Sequence, residues 1–275
     1  MEIQVTMTSE SSDGWGIAAL DLGAYLERID HPRVRPSSES LRSLHEAHVR
    51  TIPFENVDVV LGTHPGIELG VISDKLVRRG RGGYCYEHAL LFAAALEQLG
   101  FQVERRIARV QPHRSGPRTH MMLAVRVDGA DFLADVGFGA GVLRPMPLHD
   151  GAIVDQAGWK HRMSRTNSLW TLEKQTAQGW EPLHASDESA QRPIDYEVAH
   201  HYVSTHPHSP FTGKLVVIRL DEGVGRRLVG DELTVEFADG RIETTHVAPH
   251  EREATLRELD VILEPKEYAA LRDLG

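Results

Sequence analysis

Cys85 is the only thiol in the chain, and it stands in Arg81-Gly82-Gly83-Tyr84-Cys85-Tyr86-Glu87-His88, where a glycine-rich turn passes into a helix. Unpaired backbone N–H groups and the positive end of the helix dipole gather at such a start, and both favour a thiolate. Ala89, Leu90, Phe92, Ala93, Leu96 and Leu99 recur at helical spacing and Gly100 follows as a stop, which predicts a helix over Cys85–Leu99. Cys85 then falls in the first turn of a buried helix. It is the candidate nucleophile.

A nucleophilic thiol needs a base beside it and a third group to orient that base. Asp128-Gly129 is a hairpin signal between the strand-like runs Met121–Val127 and Phe132–Val136. A two-residue loop there sets His120 opposite Gly137 and puts Asp135 two positions along on the same face, at a diagonal separation of roughly 7 to 8 Å. A four-residue loop keeps that parity; a three-residue loop separates the two side chains. The spacing therefore allows a Cys85, His120, Asp135 triad.

The elements that must position these groups fall into three stretches. Helices are expected over Leu20–Ile29, Ser40–Thr51 and Ser73–Arg79 before the Cys85 helix, with serine and aspartate caps. From Phe101 to about Tyr202 the pattern is strand-like: Phe101–Ile107, the hairpin, Ser168–Lys174 and Trp180–Leu183. The last stretch has strands at Gly213–Leu220, Glu232–Phe237 and Arg241–Val247, a turn at Asp239-Gly240 and a helix expected over Pro249–Leu263. The reading is α+β, with domains at 1–100, 101–203 and 204–275. Residues Met1–Gly14 are expected to be a poorly ordered extension.

Composition bounds the function classes. The chain has 275 residues, one cysteine, sixteen histidines and a net charge of -10. That charge argues against general nucleic-acid or membrane-surface binding. No apolar run is long enough for a membrane span, no secretory pattern opens the chain, and one cysteine cannot form an internal disulfide, so a reducing, cytoplasmic setting is expected. Other motifs fail on spacing. Leu44-His45-Glu46-Ala47-His48 is one residue short of a zincin helix, Gly223-Val224-Gly225 lacks a third glycine, and His200, His201, His206 and His208 read as a connection without metal-ligand spacing. No metal is expected. The Arg78-Arg79-Gly80-Arg81 run reads as a solvated charged face.

Five segments together resemble the arylamine N-acetyltransferases: Arg50-Thr51-Ile52-Pro53-Phe54-Glu55-Asn56, Arg81 to His88, Thr119-His120-Met121-Met122-Leu123, Asp135-Val136-Gly137-Phe138-Gly139 and Ser204-Thr205-His206-Pro207. The resemblance implies a papain-like or transglutaminase-like core with a helical domain, a β-barrel domain and an α/β lid. It implies acetyl transfer from acetyl-CoA to an arylamine or arylhydrazine through acetyl-Cys85, in a monomer or small homo-oligomer. Thr119, Gly139 and Phe211 are implied on the CoA arm, and Phe138 in the acceptor pocket. Arg50, Phe54, Glu55 and Asn56 are implied to be architectural. The segment between Cys85 and His120 is several residues shorter than in many relatives. A cysteine hydrolase or transglutaminase-like amidase would use the same triad, and a non-catalytic binding protein would be expected to have lost part of it.

Overall fold

Polar caps start the first helices. Asp21 accepts from the Ala24 N–H and opens α1 (Leu22–Arg28), and Ser37 and Ser40 cap each other's backbone at α2 (Ser38–Thr51). Short helices α3 (Val57–Val60) and α4 (Leu69–Ser73), the latter widening into a π-turn at Asp74–Arg78, lead to α5 (Cys85–Leu99). Nothing in α5 resists the helix: it has no glycine, proline or β-branched residue, and Gly100 ends it at φ +96°. All its residues but Glu97 and Gln98 are buried, so α5 is the central column of the molecule. The computed structural model describes residues 12–139 and 141–273.

After β1 (Phe54–Glu55), eight strands form one antiparallel sheet: β2 (Gln102–Val110), β3 (His120–Val127), β4 (Ala130–Ala134), β5 (Met146–Pro147), β6 (Ile153–Gln156), β7 (Trp159–Thr166), β8 (Leu169–Thr176) and β9 (Gly179–Ser186). Their order is β5-β4-β3-β2-β9-β8-β7-β6, and the sheet curls into a nearly closed barrel. The β3–β4 turn is the two-residue loop that the spacing favours. Asp128 and Gly129 take φ +54° and +76°, and Val127 pairs with Ala130 and Leu123 with Ala134. A second sheet, β1-β10-β11-β12-β13, joins β1 to β10 (Val216–Asp221), β11 (Val224–Val229), β12 (Glu232–Phe237) and β13 (Ile242–His246). The final stretch is thus sewn to the first through Phe54↔Ile218 and Glu55↔Val217.

Several expectations change. Pro193–Thr205 is a helix, α6, with proline in its first turn, so His200 and His201 lie on a helix and not in a connection. The helix expected over Pro249–Leu263 is α7 (Arg252–Glu258) followed by α8 (Pro265–Asp273). The break is local. Asp260 is left-handed at φ +60°, and Val261 N–H returns to the Leu256 carbonyl. Strands β7 and β11 are rich in charge because only one face packs inward, as His161 and Met163 do in β7. Of the expected extension, residues 1–11 lie outside the described residues, and Ser12–Trp15 form a single 3-10 turn.

Between α2 and α5 runs a histidine chain in which every proton can be assigned. His88 Nε2–H faces the Gly83 and Pro53 carbonyls at 3.0 and 3.2 Å, so its Nδ1 accepts from His48 Nε2–H at 2.9 Å, and His48 Nδ1 accepts from the Tyr25 hydroxyl at 2.9 Å. All three rings are buried, and both imidazoles are neutral. Burial pulls His88, and His45 one turn before His48, from 6.5 to about 4, and burial with the neighbouring His88 holds His48 well below its ordinary value. Between these values the unfolded chain binds more protons than the fold, so stability is intact above pH 6.5 and lost as pH falls towards 4. Urea midpoints taken from pH 7.5 to about 4.5 should stay level and then fall below about 6.5; a level midpoint across that window would contradict the neutral chain.

Candidate active site

The turn before Cys85 is held by buried charge. Lys75 Nζ meets Asp58 at 2.7 Å and Glu87 at 2.9 Å, while Arg81 meets Glu55 at 2.8 Å, Asp58 at 3.1 Å and Glu267 of α8 at 2.8 Å. Backbone donors take further lone pairs: Val57 N–H reaches Glu55 at 2.7 Å and Tyr84 N–H reaches Glu87 at 3.0 Å. Burial pushes Glu87 up, but Lys75, with His64 at 3.6 Å, outweighs it and holds the carboxyl at about 2. Gly82 has no room for a side chain, because a Cβ there would stand 2.2 Å from the Pro53 carbonyl oxygen. Replacing Lys75 by methionine takes the lysine cation from buried Glu87 and leaves Asp58 with Arg81 alone, and should cost about 3 to 5 kcal/mol of unfolding free energy, read from urea titration; a loss under about 1 kcal/mol would contradict this account.

Cys85 sits at the start of α5, with the Gly137 turn against its backbone. A Cβ on Gly137 would lie 2.8 Å from the Cys85 carbonyl oxygen. His120, the first residue of β3, turns Nε2 to Asp135 at 2.8 and 3.0 Å from the two carboxylate oxygens. Nδ1 is left free of Asp135, on a ring that lines the same pocket as Cys85. Burial pulls the imidazole down, but the Asp135 charge and hydrogen bond, with a further contribution from the Cys85 side chain, outweigh it and raise His120 to about 10. Burial pushes Asp135 up, and the His120 charge, with hydrogen bonds from His120 and His184, holds it well below the usual carboxylate range.

Two partners of Asp135 are invisible to the spacing of the triad. His184 of β9 donates Nε2–H to Asp135 Oδ2 at 2.9 Å, and the Asp135 backbone N–H donates to His45 Nε2 at 3.1 Å, whose Nδ1–H goes to the Leu143 carbonyl at 2.9 Å. The near-zincin pair His45 and His48 therefore serves packing, each ring bonded to a different partner. His120, Asp135 and His184 have donor atoms within 4.8 Å of one another, close enough to share an ion. Both imidazoles already donate to the one carboxylate. Of the remaining histidines, His200 bonds the Tyr84 hydroxyl, and His206 stacks on Tyr202 at 4.4 Å.

A pocket of about 320 Å³ opens on Cys85 and His120, lined by Thr119, Phe138, Phe211 and Phe54 among others. Phe138 presents its ring edge-on to His120 and His184, at centroid distances of 5.0 and 4.8 Å. The Thr119 carbonyl accepts from the Tyr86 hydroxyl at 2.6 Å and lies 4.0 Å from Cys85 Sγ. Gly139, at φ +71°, lies instead in an adjoining cleft with Lys174, Arg219, Arg226 and Arg227. Asn56 bonds the Phe211 and Lys214 carbonyls and the Val216 N–H, so the Pro-Phe-Glu-Asn run fastens the second sheet to the site.

A helix-start cysteine, a nearly closed antiparallel sheet and a smaller second sheet place the molecule among papain-like α+β cysteine enzymes. The sequence pattern of an N-acetyltransferase family matches residues 37–264. The arylamine N-acetyltransferase of Mycolicibacterium smegmatis is 41% identical over 228 residues, 79% of this chain and 82% of that protein. The solved Mycobacterium abscessus arylamine N-acetyltransferase superposes with a TM-score of 0.90 at 35% identity, covering 97% of this chain and 99% of that one. The Mycobacterium marinum enzyme, solved in complex with CoA, superposes at 0.84 with 30% identity, covering 92% and 99%. The chain belongs to the arylamine N-acetyltransferase family.

His120, raised to about 10, offers a cation on the pocket that Cys85 also lines. Iodoacetamide should alkylate Cys85 at pH 7 faster in the wild type than in His120→Asn, by about tenfold or more, because a cationic imidazole favours the reactive thiolate. Equal rates in the two proteins would show that His120 does not activate the thiol.

Proposed function

We propose that the chain transfers an acetyl group from acetyl-CoA to the nitrogen of arylamines or arylhydrazines, in a ping-pong cycle through acetyl-Cys85. The observation that carries this reading is the Cys85–His120–Asp135 juxtaposition at the floor of an aromatic-lined pocket, in a chain of this family. The Cys85 thiolate attacks the thioester carbonyl, and the Cys85 backbone N–H at the helix start is placed to donate to the oxyanion. The C–S bond to CoA breaks, and His120 gives its proton to the departing CoA sulfur. The amine then attacks acetyl-Cys85, the Cys85 C–S bond breaks, and the amine proton returns to the imidazole, restoring the thiolate–imidazolium pair.

Asp135 stabilises the cationic ring and fixes its orientation, with His184 and His45 fixing Asp135. Phe138 offers a ring face and edge for the acceptor. Thr119 and Phe211 border the path of the CoA thiol arm, and Gly139 leads to the cleft of about 290 Å³ whose Lys174, Arg226 and Arg227 suit CoA phosphates. The divisions 1–100, 101–203 and 204–275 then act as nucleophile, base and lid units. No helix among the described residues is long and apolar enough to cross a membrane, and a free catalytic thiol fits a reducing compartment such as the cytoplasm.

Incubation with acetyl-CoA and no amine should leave one acetyl group on the Cys85 peptide by mass spectrometry, absent in Cys85→Ala, and added arylamine should discharge it as N-acetyl product. An unmodified Cys85 under single-turnover conditions would overturn the mechanism. Acetyl-CoA hydrolysis as fast without amine as with it would favour a hydrolase.

A further inference from the structure

Strand β9 carries an irregularity beside the pocket. Leu172 of β8 pairs with His184, and the next residue, Glu173, pairs with Pro182, so Leu183 is an extra residue on the β9 side. Bulges of this kind re-aim side chains next to sites. Here Glu181, Pro182 and Leu183 all border the Cys85 pocket, while His184 just beyond turns inward to Asp135. The Gln111 N–H holds the Leu183 carbonyl at 2.7 Å, fixing the bulge to the neighbouring lining.

Among the described residues that line this pocket, Glu181 is the one carboxylate. Its other walls are Phe54, Val110, Phe138, Pro210 and Phe211, with Gln111 and Thr119 as neutral polar groups. Lys174 stands opposite Glu181 in the strand register, but its ammonium is bonded to Glu236 at 2.9 Å and lies over the Trp159 ring at 5.2 Å. Among the described residues no ion pair within 4.0 Å neutralises Glu181. Glu181 is exposed and therefore places an unpaired negative charge on a largely apolar pocket whose other charged group, His120, is buried.

The geometry points to Glu181 as the residue that selects the acceptor by charge: ring amines bearing a second, cationic substituent are favoured over those bearing a carboxylate. The inference rests on the acetyl-transfer reading above, and it names the acceptor class for that site. An aromatic ring seated against Phe138 with its amine at Cys85 directs its far substituent to the mouth, where Glu181 attracts an ammonium and repels a carboxylate. A part-exposed pair of charges shifts each acceptor by about threefold in opposite directions, so the ratio moves about tenfold and shrinks with added salt.

The test is competition between 4-aminobenzylamine and 4-aminobenzoate for acetyl-Cys85 in one vessel, in the wild type, Glu181→Gln and Glu181→Lys. The product ratio is independent of the amount of active enzyme, and comparing variants cancels the amines' intrinsic reactivity. The ratio should fall about tenfold in Glu181→Gln and further in Glu181→Lys, with a smaller change at high salt. An unchanged ratio in both variants overturns the assignment. Protection of Cys85 from iodoacetamide by the same two amines reports pocket occupancy without turnover. If the wild type acetylates neither amine, the acetyl-transfer reading fails, while the protection ratio still supports or overturns the charge preference.

Discussion

Two buried cations, Lys75 and Arg81, hold the turn from which Cys85 projects. Between them they engage Asp58, Glu55, Glu87 and Glu267, side chains from α3, β1, α5 and α8. Charge at this depth is costly to desolvate, and it is sustained because each carboxylate has a cation at bonding distance and spare lone pairs go to backbone N–H groups. Glu87 does double service. It closes the start of α5 by accepting from Tyr84 N–H and anchors the same turn to Lys75. The glycines at 82 and 83 are then required by contact, since a Cβ at either position would collide with Pro53 or Glu87.

A second centre depends on that turn. Asp135 takes hydrogen bonds from His120 and His184 on its side chain and gives one from its backbone to His45, so strands β3 and β9 and helix α2 converge on one residue. The result is a division of protonation states among buried histidines. His120 is raised because the Asp135 carboxylate beside it outweighs burial; His45 and His88 are lowered because burial outweighs the carbonyls that face them, and His48 because burial and the neighbouring histidines act together. The same ring chemistry therefore gives one cation at the site and a neutral scaffold behind it.

The placement of Cys85 and the pairing of His120 with Asp135 are legible in the sequence because they are set locally. A helix start fixes where Cys85 stands, and a two-residue Asp128-Gly129 turn fixes the parity of His120 and Asp135 over fifteen residues. His184 is not legible: it lies 49 residues from Asp135 on a strand whose register slips just before it. The helix Pro193–Thr205 is hidden amid strand-like sequence, and Pro193 in its first turn is the one local sign of it. The expected Pro249–Leu263 helix is too long because a left-handed Asp260 leaves no strong mark in composition.

Contacts between near neighbours along the chain are readable from residue order alone: helix starts and stops, the hairpin, the thiol's place in the first turn, and a family resemblance written in five short runs. Other features arise only where surfaces meet across long separations. These are the pairing of Phe54 and Glu55 with β10, the sharing of Asp135 by three histidines, and the exposure of Glu181 at the pocket mouth. Hydrogen-bond partners and desolvation are set by packing, so a histidine's charge or a glutamate's reach is fixed only once its surroundings are assembled.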